Sequence, residues 1–207
     1  LALIGGGYWG KNLVRDFYNL GALHTVCDIN TELLSSHKSN YPKIETSTNW
    51  DEVLTNNSID RVCIALPAHL HYTFAKKSLE AGKHVYVEKP ITLDISQAEE
   101  LNNIAKDKGL ILMVGHLLQY HPGIQTIKAI IKDGKIGTVK QIVANRFSLG
   151  IFRTFENVLW SFAVHDISVI LSLCDDILPN SVVCNGACNI TSGIQDITNS
   201  VLKYDDK

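Results

Sequence analysis

Leu1-Ala2-Leu3-Ile4-Gly5-Gly6-Gly7-Tyr8-Trp9-Gly10 opens the chain, and its reading decides the fold. The apolar run Leu1 to Ile4 predicts a buried strand. It feeds into G-x-G-x-x-G at Gly5, Gly7 and Gly10. Leu13, Val14, Phe17 and Leu20 then recur at helical spacing. Strand, tight turn and helix in that order are the context of a dinucleotide-binding fingerprint. Gly5 permits the turn, Gly7 lets the backbone approach a pyrophosphate, and Gly10 lets the helix pack close to the strand. The start of the helix offers N–H groups and a positive dipole end to phosphate.

A second apolar run, Leu23 to Cys27, ends at Asp28. An acid about twenty residues past the glycines, closing the second strand, is placed to grip the adenosine ribose. Its carboxylate accepts from the ribose hydroxyls and repels a 2′-phosphate. Ile29, Asn30 and Thr31 supply no cation to receive that phosphate. These residues predict NAD in preference to NADP. The competing reading is a glycine turn and an acidic strand end in any α/β protein.

The 207 residues allow one large domain or two small ones. Hydrophobic residues make up 45% and charged residues 19%, the composition of a globular chain. A net charge of −2 predicts no general attraction to nucleic acid or to an anionic membrane. No apolar run reaches transmembrane length. Leu1 to Ile4 lacks the basic flank of a signal peptide. The first residue is not Met and lies inside the expected strand, so a few further residues are expected upstream. Cys27, Cys63, Cys174, Cys184 and Cys188 are an odd set without framework spacing. They predict a reducing, cytoplasmic setting. Cys184 and Cys188 lack zinc-knuckle spacing and a second pair, so no metal is expected.

Strand and helix signals alternate through residue 115. Helices are expected over 31–39, 50–54, 70–81 and 96–108. Buried strands are expected over 60–65, 83–87 and 110–114. This predicts an α/β Rossmann fold, a doubly wound parallel sheet with helices on both faces. Binding sites in such sheets lie beyond the carboxyl ends of the strands. That rule gathers residues 5–10, Asp28, 66–71, 88–90 and 115–116 along one edge. The pattern then changes. A helix over 122–132 precedes one long strand-like stretch, 135–148. A helical stretch, 157–173, and two strands, 181–191 and 198–204, follow. These predict a second, α+β domain with a mainly antiparallel sheet, cut short at the C-terminus. The boundaries expected are 1–116 for the nucleotide-binding domain and 117–207 for the substrate domain.

Taken together, these residues resemble the Gfo/Idh/MocA oxidoreductase family. The matching stretches are Gly5 to Gly10, Pro67 with His71, and Leu79 to Val85 running into Glu88-Lys89-Pro90. Gly115, Tyr120 with Pro122, and Val164-His165-Asp166-Ile167 continue the match. Within the family, residues 145–173 look most like sugar-nucleotide 3-dehydrogenases, which oxidise the 3-hydroxyl of UDP-N-acetylhexosamines or their uronates. The resemblance implies a dehydrogenase whose substrate is a carbohydrate or sugar nucleotide, and a homo-oligomer at full length. The alternatives are a dehydrogenase of a free sugar, an inositol or another polyol, and an inactive NAD-binding module.

Oxidising a secondary alcohol needs a hydride acceptor, a group to take the hydroxyl proton, and a donor to steady the developing oxyanion. Lys89 lies in the loop beyond a strand, at the site edge. The resemblance implies that its ammonium serves the reacting oxygen and that the Lys89–Pro90 bond is cis. Read alone, His165 is a histidine in an apolar helix; the resemblance makes it the base. Many relatives carry an Asp four residues earlier, where this chain has Ser161. Lys89 and His165 are then expected to share the proton work, or His165 to relay it through Ser161. Asp166 lies about 100° round the helix from His165. The cofactor set is Gly5, Gly7, Tyr8, Trp9, Gly10, Asp28, Leu66, Pro67, His71, Glu88 and Lys89. His71 matches a position beside the nicotinamide end and also opens its own helix. Glu88 braces the Lys89 loop. The substrate set is Lys89, His116, Arg146, Arg153, Ser161 and His165. The two arginines are chosen because a planar guanidinium matches a diphosphate or a uronate carboxylate. Gln119 stands where many relatives have a basic residue.

Overall fold

The computed structural model describes residues 1–149 and 156–204. The chain divides into two units, Leu1–Gly115 and His116–Lys207.

The first unit is a six-stranded sheet in the order β3-β2-β1-β4-β5-β6. Its strands are β1 (Ala2–Ile4), β2 (Thr25–Cys27), β3 (Glu45–Ser47), β4 (Arg61–Ile64), β5 (His84–Val87) and β6 (Leu112–Val114). Every neighbouring pair is parallel. Five helices connect them: α1 (Gly10–Asn19), α2 (Thr31–Asn40), α3 (Trp50–Thr55), α4 (Ala68–Glu80) and α5 (Ile95–Asp107). The strand period of two divides the core. Ala2 and Ile4 of β1 join Val62, Ile64, Val85 and Val87 in a cluster with Ala75 and Leu79 of α4 and Leu101 of α5. Leu3, between them, joins Val26, Val14 of α1 and Leu34 of α2 in a second cluster. Helices thus cover both faces, and the strands read as continuous apolar runs because neither face meets water. Asn30, Asn49 and Asp94 cap α2, α3 and α5 through side chains that accept backbone N–H groups.

β3 has no counterpart among the predicted strands. Glu45, Thr46 and Ser47 are polar and lie at the sheet edge, so no apolar run marks them; pairing with β2 makes the strand.

The second unit begins with a 3₁₀ turn, Leu117–Tyr120, and α6 (Pro122–Lys132). His121 caps α6, its Nδ1 accepting from Gly123 N at 3.1 Å. The long strand expected over 135–148 is absent: residues 137–149 form neither helix nor strand. Partial alternation is not sufficient for a strand, because backbone pairing is also required and these residues make none. Here β7 (Ser181–Ala187) and β8 (Ile197–Lys203) pair with each other, antiparallel, from Ser181↔Lys203 to Ala187↔Ile197. The helical stretch 157–173 is also divided. A π-helical turn, Leu159–Ala163, leads into α7 (Val164–Leu173). Among the described residues no helix is long and apolar enough to cross a membrane.

Candidate cofactor and catalytic site

The opening turn is held by contacts that leave no room for side chains at two of its glycines. Gly5 N donates to Cys27 O at 3.0 Å, which ties the turn to the end of β2. Gly5 has φ +87°, in the left-handed region that favours glycine. A Cβ there would lie 2.6 Å from Ala65 O, and a Cβ on Gly10 would lie 1.8 Å from Gly5 O. Gly7 is different: a Cβ on it would meet no atom within 4 Å. Gly5 and Gly10 are glycines for the sake of the fold. Gly7 borders open space, as expected of a residue that lets a pyrophosphate approach the backbone. No side chain caps α1 and no acid stands in its first turn, so its positive end is not neutralised from within that turn. Tyr8, 80% exposed, and Trp9, 42% exposed, stand on the same turn.

Asp28, beyond the end of β2, faces this turn. Its Oδ2 accepts from Gly6 N at 2.8 Å and its Oδ1 accepts from Asn30 N at 2.9 Å. Each carboxylate oxygen retains a further lone pair, and the side chain is half-buried. Two backbone donors therefore fix a negative charge beside the glycines. Open space at Gly7 and an oriented acceptor at Asp28 fit a nicotinamide dinucleotide.

The loops beyond β4 and β5 carry the next group. Leu66 is half-buried and the exposed Pro67 precedes α4. His71 is only 1% exposed. Its Nδ1 lies 2.6 Å from Pro90 O and its Nε2 lies 2.7 Å from Leu66 O. The ring thus spans the two loops as a strut, with both nitrogens used inside the fold. Glu88 is 7% exposed. Its Oε1 accepts from Trp9 Nε1 at 2.8 Å and from Tyr86 OH at 3.0 Å. Its Oε2 accepts from Lys89 N at 3.3 Å. Glu88 therefore fixes Trp9 of the glycine turn and the backbone of the half-buried Lys89. The Lys89–Pro90 bond is cis. Gly115, at the end of β6, accommodates this network, since a Cβ there would lie 2.6 Å from Tyr86 OH. Two contributors, Tyr86 through Glu88 and His37 through Gly6 O, carry no signal in the sequence. Tyr86 reads simply as a strand residue, and His37 lies in a helix with no motif around it.

In the second unit, Ser161 and the half-buried His165 stand one turn apart, Ser161 within the π-helical turn. Such turns recur at functional sites. Ser161 is 7% exposed and its Oγ donates to Asn157 O at 3.2 Å. The carbonyl of His165 accepts from Ser168 Oγ at 2.8 Å. Gln119 Nε2 donates to Ser168 O at 2.7 Å, so Gln119 braces α7. His116 is half-buried at the start of this unit.

Arg146 is engaged within the second unit. Its Nε and Nη2 donate to the two carboxylate oxygens of Asp166 at 2.9 and 2.8 Å. The hydrogen bonds to Asp166 hold its pKa above the ordinary arginine value. The carboxylate matched by this fork is the chain's own, and the pair anchors the first turn of α7 beside His165. Arg153, also expected to hold substrate, lies outside the described residues. Among the described residues no group of three or more His, Cys, Asp or Glu side chains is placed to hold a metal ion.

Comparison with known proteins gives this geometry a family. UDP-N-acetylglucosamine 3-dehydrogenase of Acidithiobacillus ferrooxidans is 27% identical over 172 residues, 83% of this chain and 53% of that protein. The scyllo-inositol 2-dehydrogenase (NADP(+)) IolW of Bacillus subtilis is 29% identical over 126 residues, 60% of this chain and 35% of that one. The crystal structure of a putative oxidoreductase from Klebsiella pneumoniae superposes with a TM-score of 0.81 at 30% identity. That match covers 99% of this chain and 58% of the other. The chain spans 53% of the UDP-N-acetylglucosamine enzyme and as little as 28% of other curated relatives it matches. Residues 1–116 match the oxidoreductase family described by its NAD-binding Rossmann fold. That match takes in more than half of the chain and the whole glycine-to-Pro90 constellation, and the chain belongs to the Gfo/Idh/MocA oxidoreductase family.

Proposed function

We propose that this chain forms part of an NAD-dependent dehydrogenase that oxidises a secondary hydroxyl of a sugar nucleotide. The observation that carries the cofactor choice is Asp28, held by Gly6 N and Asn30 N beside the open face of Gly7. Its remaining lone pairs suit ribose hydroxyls, and its charge opposes a 2′-phosphate. Lys38 of α2 does not offset that charge with an uncommitted ammonium, because its Nζ donates to Pro42 O and Ile44 O at 3.1 and 2.5 Å.

A dinucleotide held at Gly7 and Asp28 would supply the hydride acceptor for the carbinol carbon. Lys89 donates from Nζ to the reacting oxygen and stabilises the charge that develops there. Glu88 fixes the backbone on which Lys89 stands. His165 takes the hydroxyl proton on its imidazole, histidine being the common general base of proton-transfer sites. Ser161, whose hydroxyl hydrogen goes to Asn157 O, serves that imidazole as an acceptor rather than as a base. Arg146 and Asp166 position the turn that carries His165 and are not assigned to substrate.

The sugar-nucleotide choice is supported by the similarity to the UDP-N-acetylglucosamine 3-dehydrogenase, which extends over 172 residues and so runs beyond the first unit. A polyol is the second reading, favoured by the similarity to the scyllo-inositol enzyme. The test is turnover of the protein with NAD against UDP-N-acetylglucosamine, its uronate, scyllo-inositol and myo-inositol, followed by the absorbance of reduced nicotinamide. Reduction with the UDP-sugars is the expected result. Reduction with the inositols alone replaces the sugar-nucleotide assignment by the polyol one. NAD binding with no turnover on any of them leaves a nucleotide-binding module.

A further inference from the structure

We infer that His37 is a positioning residue for the cofactor turn, acting through the carbonyl of Gly6; this rests on the reading of that turn as the NAD site. His37 stands in the last turn of α2, 6% exposed. Its Nε2 lies 2.8 Å from Gly6 O. A carbonyl oxygen only accepts, so Nε2 carries the hydrogen. The N–H of the same residue donates to Asp28 Oδ2 at 2.8 Å. Gly6 is therefore held at both ends, by Asp28 at its N–H and by His37 at its C=O. The Gly6 carbonyl and the Gly7 N–H share one planar peptide and point in opposite directions. Fixing the carbonyl on the imidazole fixes the plane of that peptide and directs the Gly7 N–H away from α2.

The ring is itself seated by aromatic contacts. Tyr41 stacks on it with centroids 6.4 Å apart and planes 28° apart. Tyr41 also meets Tyr18 of α1 at 4.8 Å. The imidazole occupies the space that a side chain at position 6 would need. A Cβ on Gly6 would lie 2.9 Å from His37 Nε2 and 3.0 Å from its Cδ2. The middle position of G-x-G is open to other residues in the fingerprint. In this chain it is glycine because His37 fills the volume, and the ring gives in return a hydrogen bond that no side chain at position 6 supplies. His37 and Gly6 form one device.

The test is calorimetric titration of NAD into the wild-type protein and into His37→Leu, His37→Gln, Gly6→Ala, His37→Ala and the Gly6→Ala/His37→Ala double variant, with thermal melts alongside. His37→Leu is expected to bind NAD about ten-fold more weakly, the factor that one buried hydrogen bond carries. His37→Gln, whose amide N–H reaches the same carbonyl, is expected to recover most of that affinity. Gly6→Ala is expected to weaken binding when His37 is present and to cost clearly less when it is not. A His37→Leu chain that fails to fold leaves the Gln and double variants to decide. Wild-type binding with His37 variants within two-fold of it, or a Gly6→Ala effect equal in both backgrounds, overturns the inference alone. A wild-type protein that does not bind NAD overturns the cofactor reading and this inference with it.

Discussion

Replacing Gly10 by Ala tests whether the fingerprint is first a packing device. The new Cβ would lie 1.8 Å from Gly5 O and 2.9 Å from Gly5 C, whereas real Cβ contacts essentially never fall below 3.0 Å. The start of α1 must then move from β1 by about 1.2 Å, because the obstructing atoms are backbone and have no alternative rotamer. Val14, fully buried one turn along α1, is drawn out of its contacts in the cluster with Leu3 and Val26. Overpacking of a tight core costs about 1–3 kcal/mol, and a rigid obstruction places this case at the upper end. For a unit of this size, about 3 kcal/mol lowers Tm by roughly 10–20 °C. Far-UV circular dichroism melts of Gly10→Ala beside wild type measure it. Gly7→Ala is the control, since its Cβ meets nothing within 4 Å. Its Tm should stay within about 2 °C of wild type, while NAD affinity falls about ten-fold or more because the methyl occupies the approach to the pyrophosphate. A Gly10→Ala protein that melts with wild type refutes the packing argument. Unchanged NAD affinity in Gly7→Ala refutes the assignment of the open face.

Three further outcomes follow from the same contacts. Asp28→Asn keeps an acceptor for Gly6 N and removes the charge, so the ratio of NADP to NAD affinity should rise about ten-fold or more in parallel titrations; an unmoved ratio removes Asp28 from cofactor selection. In a double-mutant cycle on Arg146→Ala and Asp166→Ala, read by urea unfolding, the coupling should be about 1 kcal/mol, because the pair is bidentate but its side chains remain 37% and 25% exposed. The Ser96 hydroxyl, with the Gln97 and Ser96 backbone N–H groups, holds Asp94 below the ordinary carboxylate range. A depressed folded pKa gives stability that is present above the unfolded value, about 4, and is lost as pH falls through the folded one. Asp94→Asn should therefore flatten the acid limb of the Tm-versus-pH curve and leave its shape near pH 7 alone.

What could be read from the sequence was what neighbouring residues decide among themselves. The turn from Gly5 to Gly10 is legible because its glycines, the apolar strand before them and the helical spacing after them are contiguous, although Cys27, Asp28, Ala65 and His37, which hold it, are not. Asp28 was legible because the length of a β-α-β unit fixes where the second strand ends. β3 was not, since Glu45, Thr46 and Ser47 become a strand only through the edge that β2 offers. The stretch 135–148 shows the converse: partial alternation alone produced no strand. Side-chain roles divide the same way. His71 was an open choice between helix opener and site residue. Its carbonyl partners lie 5 and 19 positions away, on two loops whose meeting no local pattern announces. His37 sits 31 positions from Gly6 and was invisible for that reason. The partner of Arg146 is not legible either, because a guanidinium suits any carboxylate and Asp166 stands 20 positions on.

This division sets how the function can be tested. Gly7, Asp28 and His37 belong to the first unit, and their variants are read by NAD affinity without turnover. Lys89 and His165 come from different units, and the roles proposed for them are read by turnover at saturating NAD. Lys89→Ala should leave NAD affinity within about three-fold of wild type, since Lys89 joins the cofactor set through a backbone that Glu88 holds and the substitution keeps, while its Nζ is proposed for the reacting oxygen. It should lower kcat by about 100-fold or more, the scale of removing one donor to a developing oxyanion. Full turnover in Lys89→Ala would remove the lysine from the chemistry and leave the NAD site standing. Loss of NAD affinity equal to the loss of turnover would make Lys89 a cofactor ligand and not a proton or oxyanion residue.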